Sequence, residues 1–158
     1  MMRLDGKVAV ITGGASGIGR ATALTFVAEG ATVVAADLNL EGAEETARRA
    51  GERCLARTLD VTSDEGWAAL MDDVIQTCGR LDVLVNGAGI GWAGTFEEMP
   101  LDAWNAMLAV NLTGVMLGCQ HGIRTMREAG NGGSIINISS IGGLVGGDDI
   151  GGYCASKG

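Results

Sequence analysis

Short apolar runs alternate with amphipathic segments along the whole chain, and glycine clusters separate many of them. A short apolar run between turn-forming residues is typical of a buried strand, whereas apolar residues at every third or fourth position predict a helix. The pattern predicts five strands, at residues 8–11, 32–36, 53–59, 81–85 and 134–138. It predicts helices at about residues 18–29, 41–50, 62–78 and 102–128, and the start of another at 153–157.

The same pattern predicts how several of these segments are arranged. Residues 62–65 have the spacing of a capping box, and Trp67 and Trp104 are expected in the core. The centre of the longest helical segment, residues 106–119, is nearly all apolar, so we expect it to be buried on several sides. Of the two serines after the fifth strand, Ser139 is expected to be structural.

Strands that alternate with helices imply right-handed crossovers and a parallel sheet covered on both faces. We therefore predict an α/β, Rossmann-like, doubly wound fold in one dinucleotide-binding domain over residues 1–158, with strand order 3-2-1-4-5. In such a sheet the ligand crevice lies at the carboxyl ends of the strands, between strands 1 and 4. The polar residues predicted at that edge are Thr12, Asp37, Asp60, Asn86, Ser139 and Ser140.

The first predicted strand leads into a glycine-rich segment, TGGASGIG at residues 12–19. Glycines allow a tight turn and let the backbone approach a pyrophosphate closely. The helix that follows points unpaired N–H groups at that anion. Such a segment is equally consistent with a turn that binds nothing. Asp37, which directly follows the second strand and lies 18 residues after Gly19, favours the dinucleotide.

Asp37 also bears on which dinucleotide binds. A carboxylate at this place can accept hydrogen bonds from both ribose hydroxyls, and it would repel a 2′-phosphate. No Arg or Lys lies between Gly13 and Gly19 or within residues 37–40. The sequence therefore predicts NAD rather than NADP.

Composition and charge disfavour several other classes of function. The net charge of −8 argues against nucleic acid or an anionic membrane as partner. From the residues before the first strand we expect no signal peptide, and no uninterrupted apolar run reaches the ~20 residues that span a bilayer. The four cysteines lack paired spacing, and His121 is the only histidine. We therefore expect free thiols, a cytoplasmic location and no metal site.

Several motifs follow one another in order along the chain: TGGASGIG at 12–19, Asp37, Asp60-Val61, NGAG at 86–89, Asn111, Ser140 and YCASK at 153–157. Together, with 13 positions from Ser140 to Tyr153, they resemble the short-chain dehydrogenase/reductase family in its basic single-domain form. The resemblance runs from Lys7 to Gly158. It implies an NAD(H)-dependent oxidoreductase that interconverts a secondary alcohol and a ketone. It also implies a homo-oligomer, dimer or tetramer, paired through the helix at 102–128.

The resemblance implies a role for each matched residue. Ser140 would hydrogen-bond the substrate oxygen, Tyr153 would transfer the proton, and Lys157 would bind the nicotinamide ribose and favour the tyrosine phenolate. Asn111 would hold a water that links Lys157 to solvent. Asp60 would hydrogen-bond the adenine amino group, with Val61 beside the ring. Tyr153 would contact the cofactor as well as Lys157, and the other implied cofactor contacts are Gly13, Ser16, Gly17, Ile18, Gly19, Asp37, Leu38, Asn86, Ala88 and Gly89.

The residue types agree with this chemistry. Lys157 follows Tyr153 by four residues, so on a helix both side chains lie on one face. A nearby ammonium group favours a phenolate, which can remove the hydroxyl proton while NAD⁺ accepts the hydride. Two simpler interpretations stay open: Asp60 could only cap a helix, and Asn111 could only bond a neighbouring carbonyl.

The chain departs from the family pattern at two places. Gly87 stands where the family often has a second Asn, and family members continue beyond the lysine with two further strands. We therefore expect the cofactor-binding front of a longer enzyme, with strand 5 as an exposed edge. A non-catalytic NAD-binding module, and a lyase or epimerase on the same scaffold, are the alternatives. The sequence does not identify the substrate.

Overall fold

Five strands and six helices alternate along residues 2–158, the part of the chain that the computed structural model describes. The strands are β1 (Val8–Thr12), β2 (Thr32–Asp37), β3 (Cys54–Thr58), β4 (Val83–Asn86) and β5 (Ser134–Asn137). The helices are α1 (Gly17–Ala28), α2 (Leu40–Ala50), α3 (Asp64–Cys78), α4 (Leu101–Leu108), α5 (Gly114–Glu128) and α6 (Gly151–Lys157). A π-turn, Ala109–Thr113, joins α4 to α5.

All strands are parallel and their order is β3-β2-β1-β4-β5, so the predicted α/β fold and strand order are confirmed. The register pairs Thr12 with Ala36 and Asn86 with Asn137. The carboxyl ends of the strands therefore meet at one edge of the sheet, which is where the sequence predicts the ligand crevice. Within the described chain β5 is the outer strand beside β4, as expected for an exposed edge.

Both faces of the sheet are covered, because alternate residues of a strand point to opposite sides. Val10 belongs to the apolar cluster under α3 and α5, whereas Ile11 belongs to the cluster under α1 and α2. Trp67 on α3 is fully buried, as predicted, and its Nε1 donates to the Val61 carbonyl at 2.9 Å. Trp104 on α4, which we also expected in the core, is only half-buried.

Several predicted element starts differ from the structure by one or two residues. The strand expected at 81–85 begins at Val83, because Leu81 is buried but precedes the ladder. The helix expected from Thr62 begins at Asp64. Its cap is Ser63, which accepts a hydrogen bond from the Gly66 N–H at 3.0 Å, so the proposed capping box from Thr62 to Glu65 does not form.

The long helical segment was expected to be buried on several sides, and this was wrong. Leu112 is 57% exposed and Met116 is 45% exposed. The buried side instead includes Gly114, Gly118 and Gly122. An added Cβ at Gly118 would lie 2.9 Å from the Trp67 ring, so small residues let this helix approach α3 and the sheet closely.

Counted as one helix, residues Leu101–Glu128 are long and apolar enough to cross a membrane by length and composition. Core helices pass the same test. Polar residues interrupt the segment, and Asn111 and His121 on it are buried against the rest of the protein. One side of the segment packs against α3 and β4, whereas Leu112, Met116 and Ile123 on it are exposed.

A buried carboxylate joins β1 to β4 at the end of the sheet opposite the crevice. Asp82 is 5% exposed and accepts a hydrogen bond from the Val8 N–H at 3.0 Å. Its oxygens also accept from Arg80 at 2.5 and 2.7 Å and from Lys7 at 3.4 Å. Burial raises the pKa of Asp82, but these hydrogen bonds outweigh that effect and hold the pKa below its ordinary value.

Replacing Asp82 with Asn is expected to lower the free energy of unfolding by about 2 kcal/mol, because charge-assisted hydrogen bonds to a buried group are lost. Because the folded pKa of Asp82 is lowered, this stabilisation is present above about pH 4 and is lost as the pH falls through the folded value. Urea unfolding of both proteins at several pH values measures the difference.

Asp73→Asn is the matched control, because Asp73 pairs with Arg57 at 2.8 Å in a half-exposed position. That pair is expected to contribute less than about 1 kcal/mol. Equal losses in the two variants would contradict the role assigned to Asp82.

Candidate functional site

A cleft of about 420 Å³ opens at the carboxyl edge of the sheet. Its wall includes every predicted cofactor-binding residue except Asn86, Tyr153 and Lys157. It also includes Gly87 of the NGAG motif and three residues that the sequence did not single out: Leu59, Ile90 and Val110. The motif residues at the ends of four strands therefore border one cavity.

The glycine-rich segment forms the inner wall of this cleft. Gly13 has φ +71°, and a Cβ there would lie 2.9 Å from the Gly87 carbonyl oxygen. Gly17 has φ +51° with no atom within 4 Å of a Cβ position, so its backbone faces open space at the start of α1. This cradle leaves α1 N–H groups free for an anion, which fits a pyrophosphate.

Thr12 connects the two central strand ends, a role that the sequence reading missed. Its Oγ1 accepts hydrogen bonds from the Gly87 N–H at 3.0 Å and the Ala88 N–H at 3.1 Å. The side chain is buried. A hydroxyl at the last position of β1 was visible in the sequence, but its partners lie 75 residues away.

Asp37 lies at the rim of the cleft with both carboxylate oxygens already oriented. Oδ2 accepts from the Ala15 N–H at 3.0 Å, and Oδ1 accepts from the Asn39 N–H at 2.9 Å. Each carboxylate oxygen can accept a second hydrogen bond. Asp37 therefore retains capacity for two hydroxyl donors while its side chain is held in place.

Asp60 also lines the cleft, and its carboxylate stabilises the turn between β3 and α3. Oδ1 accepts from the Thr62 hydroxyl at 2.7 Å and from the Thr62 N–H at 2.9 Å. These hydrogen bonds hold the pKa of Asp60 below its ordinary value. The capping interpretation is thus present in the structure, although Asp60 caps a turn before α3 and Ser63 caps the helix itself.

Asn86 is buried behind the cleft and does not line it. Its Nδ2 donates to Asn137 Oδ1 at 2.8 Å, which ties the end of β4 to the end of β5. Its own Oδ1 is buried without a hydrogen-bond partner among the described residues. Asn86 therefore stabilises the ends of β4 and β5, whereas Ala88 and Gly89 form part of the cleft wall.

Ser140 and Tyr153 both lie close to Gly142. A Cβ placed on Gly142 would lie 3.5 Å from Ser140 Oγ and 3.4 Å from Tyr153 Cδ1. Ser140 follows β5, and its Oγ accepts from the Gly142 N–H at 3.1 Å. This bond orients Ser140 and leaves its hydroxyl hydrogen free for another acceptor.

Lys157 lies on α6 and reaches the inner end of the cleft. Its Nζ donates to the Ile138 carbonyl at 2.9 Å, which leaves two further N–H donors. A Cβ on Gly89 would lie 3.4 Å from Lys157 Nζ and 3.3 Å from Asn111 Oδ1, so both side chains lie beside this glycine. Ser139 Oγ donates to the Lys157 carbonyl at 3.0 Å, consistent with the structural role expected for Ser139.

Asn111 occupies the π-turn and is 4% exposed. Its Oδ1 accepts from the Ile90 N–H at 2.9 Å, and its Nδ2 donates to the Ile90 carbonyl and to Ser156 Oγ, each at 2.8 Å. Both amide hydrogens are therefore used within the protein. Asn111 therefore does bond a neighbouring carbonyl, as its simpler interpretation holds. Of its side-chain atoms, only Oδ1 can still accept a hydrogen bond, which a water could donate.

Apart from Cys154, the cysteines and the histidine lie outside this site. Cys154 is the exception, because its Sγ would lie 3.5 Å from a Cβ placed on Gly142. All four cysteines are free, and burial raises the pKa of the Cys54 thiol to about 11. His121 Nε2 lies 2.7 Å from Asp64 Oδ1, between α5 and α3. Across residues 2–158, no group of three or more His, Cys, Asp or Glu side chains is placed to hold a metal ion.

Known proteins are similar to this chain in sequence and in fold. The family model described as short chain dehydrogenase matches residues 7–158. The chain is 45% identical to the D-threitol dehydrogenase of Mycolicibacterium smegmatis, covering 98% of this chain and 60% of the relative. It is 46% identical to the 3-alpha-(or 20-beta)-hydroxysteroid dehydrogenase of Mycobacterium tuberculosis, covering 98% and 59%. It is 42% identical to the NADP-dependent (R)-specific alcohol dehydrogenase of Lentilactobacillus kefiri, covering 99% and 63%.

The fold is also similar to a solved structure, that of a short-chain type dehydrogenase/reductase from Mycobacterium marinum. The TM-score is 0.94 at 32% sequence identity, and the match covers 98% of this chain and 64% of that one. The chain thus spans about 60% of the length of the curated relatives it matches. By its sequence, strand order and motifs, this chain belongs to the short-chain dehydrogenase/reductase family, whose members use NAD(P).

Proposed function

We propose that this chain carries the cofactor-binding and proton-transfer groups of an NAD(H)-dependent oxidoreductase that interconverts a secondary alcohol and a ketone. The observation that carries the proposal is that Ser140 and Tyr153 both lie close to Gly142, while Lys157 lies beside Gly89 in the wall of the cleft. A proton-transfer group, an oxygen-binding group and a dinucleotide cradle are the parts that alcohol oxidation requires.

The cradle fits a nicotinamide dinucleotide. The backbone from Gly13 to Gly19 would hold the pyrophosphate at the start of α1, and Asp37 would accept the adenosine ribose hydroxyls. Asp60 and Val61 would lie against the adenine. A cofactor bound there would supply the hydride acceptor or donor.

The preference for NAD over NADP rests on Asp37. Its carboxylate is oriented at the rim by the Ala15 and Asn39 N–H groups, and it would repel a 2′-phosphate. One relative is NADP-dependent by name, so the family alone does not decide this choice.

The proposed proton transfer uses hydrogen-bond donors and acceptors that no other group among the described residues occupies. The Ser140 hydroxyl hydrogen is free to bond the substrate oxygen, because Gly142 already supplies the donor that orients its Oγ. Tyr153 would take the proton from that oxygen at its phenolic oxygen during oxidation and return it during reduction. Lys157 would place its remaining N–H donors against the nicotinamide ribose and favour the phenolate electrostatically.

Substrate and assembly are proposed at a coarser level. The relatives act, by name, on threitol, hydroxysteroids and alcohols, so we propose a small alcohol or steroid substrate. We propose a homo-oligomer paired through the segment Leu101–Glu128. Exposed apolar side chains along it support this, namely Leu112, Met116 and Ile123.

The decisive experiment uses the longer enzyme of which we propose this chain to be the front, because we expect the 158 residues alone to bind NAD weakly and to turn over nothing. That enzyme is mixed with NAD⁺ and a panel of secondary alcohols that includes threitol and a hydroxysteroid. We expect the absorbance of reduced nicotinamide to rise in a one-to-one ratio with ketone formed. Product formed without net NADH would indicate a lyase or epimerase instead. A thermal shift with NAD⁺ but no turnover of any alcohol would indicate a non-catalytic module.

A further inference from the structure

Two side chains behind the glycine-rich segment hold it from the side opposite the cleft. Thr46 on α2 is fully buried, and its hydroxyl donates to the Gly14 carbonyl at 2.7 Å. The same Oγ1 accepts from Arg20 Nε at 2.9 Å. Arg20 is the first residue after the glycine-rich segment, and its Nη2 donates to the Ala15 carbonyl and, at 3.4 Å, to the Gly42 carbonyl.

The hydrogen bond from Thr46 acts on the same peptide unit that holds Asp37. The carbonyl of the Gly14–Ala15 peptide accepts from Thr46, and the N–H of that peptide donates to Asp37 Oδ2 at 3.0 Å. In a planar trans peptide the C=O and N–H point in opposite directions. Thr46 and Asp37 therefore lie on opposite sides of one rigid unit, and rotation of that unit would break both bonds.

The neighbouring peptide is held as well, and packing leaves little room for either to move. Arg20 binds the Ala15 carbonyl, which belongs to the next peptide unit. A Cβ on Gly42 would lie 2.7 Å from the Ala15 Cβ, and a Cβ on Gly14 would lie 2.9 Å from the Ala35 Cβ. The segment is thus in close contact with α2 on one side and β2 on the other.

We propose that Arg20 and Thr46 are positioning residues that set the discrimination between NAD and NADP through Asp37. This inference rests on the proposed NAD function. Arg20 uses its Nε and Nη2 on protein acceptors, so it acts on the backbone that orients Asp37 and does not bind a 2′-phosphate. Loss of either side chain frees the Gly14–Ala15 peptide and with it the ribose-binding carboxylate.

The test compares Thr46→Val, which removes only the hydroxyl, with Thr46→Ser, which keeps it. Calorimetric titration with NAD⁺ and NADP⁺ gives both dissociation constants for each protein. In Thr46→Val we expect the Kd for NAD⁺ to rise about tenfold, the loss of about one hydrogen bond, and the Kd for NADP⁺ to rise less. The NADP⁺/NAD⁺ ratio of Kd values therefore falls at least about threefold, whereas Thr46→Ser stays within about twofold of wild type.

Arg20→Lys provides a second variant that also decides the question if Thr46→Val does not fold. It should lower the same ratio, because one ammonium cannot reproduce the guanidinium contacts to Thr46 and Ala15. Arg49→Lys is the matched control, since Arg49 on α2 pairs with Glu45 on the exposed side, and it should leave the ratio unchanged.

The melting temperature of the cofactor-free protein separates positioning from stability. Variants that lower the melting temperature but keep the wild-type ratio would overturn the inference, and so would equal losses of affinity for both dinucleotides. Either result, with wild type still binding NAD⁺, leaves the proposed function standing. A wild-type protein that binds neither dinucleotide would overturn both.

Discussion

Replacing Tyr153 with Phe is expected to lower kcat for alcohol oxidation by about 10²- to 10⁴-fold, the usual contribution of a positioned acid–base group. The variant keeps the ring that lies beside Gly91 and Gly142 and loses only the phenolic oxygen. The cause is therefore the missing proton acceptor and not a missing packing contact. Steady-state turnover with NAD⁺ and the best alcohol of the panel measures the loss.

Cofactor binding serves as the internal control for Tyr153→Phe. Because the glycine-rich segment and Asp37 are untouched, the Kd for NAD⁺ should stay within about threefold of wild type, which is less than one hydrogen bond of free energy. A variant that retained full turnover would remove Tyr153 from the reaction. A variant that lost NAD⁺ binding in proportion to activity would assign the residue to the cofactor and not to proton transfer.

Replacing Asp37 with Ser is expected to raise the Kd for NAD⁺ by about 10²-fold and to lower the Kd for NADP⁺. Two charge-assisted hydrogen bonds to the ribose hydroxyls are lost, and the charge that repels a 2′-phosphate is removed. Calorimetric titration with each dinucleotide measures the two Kd values, which we expect to change in opposite directions.

Asp37→Asn separates charge from local structure. Its amide oxygen can still accept from one of the two N–H groups that orient the side chain, those of Ala15 and Asn39. We therefore expect a smaller loss of NAD⁺ affinity than in Asp37→Ser, together with weaker rejection of NADP⁺. If NADP⁺ remained excluded from both variants, the selectivity would have to come from another part of the cleft.

Features that depend on neighbouring residues in the chain could be predicted from the sequence. The buried strand at Val8–Thr12, the glycine-rich turn after it and the acid at the end of β2 are local patterns, and the structure has each of them. The strand order also followed, because short parallel crossovers leave few topologies. The meeting of several strand ends at one edge is a consequence of that order.

Exposure of the long helix could not be predicted, because an apolar pattern does not say how many neighbours a helix has. Leu112 and Met116 are apolar and exposed, while Asn111 between α4 and α5 is polar and buried. The side-chain amide of Asn111 hydrogen-bonds Ile90 in the loop after β4 and Ser156 on α6. Tertiary packing therefore decides which residues hydrogen-bond Asn111, and the local sequence pattern does not.

The sequence by itself determined the elements, their order and the residue types at the crevice, because periodicity and turn residues act over a few positions of the chain. The tertiary structure decided which polar atoms are already bonded. Thr12 holds the Gly87 and Ala88 N–H groups, and Thr46 holds the peptide that orients Asp37. These contacts join residues that are far apart in the chain, and only the stacking of α2 and β4 against β1 and β2 brings them within hydrogen-bond distance.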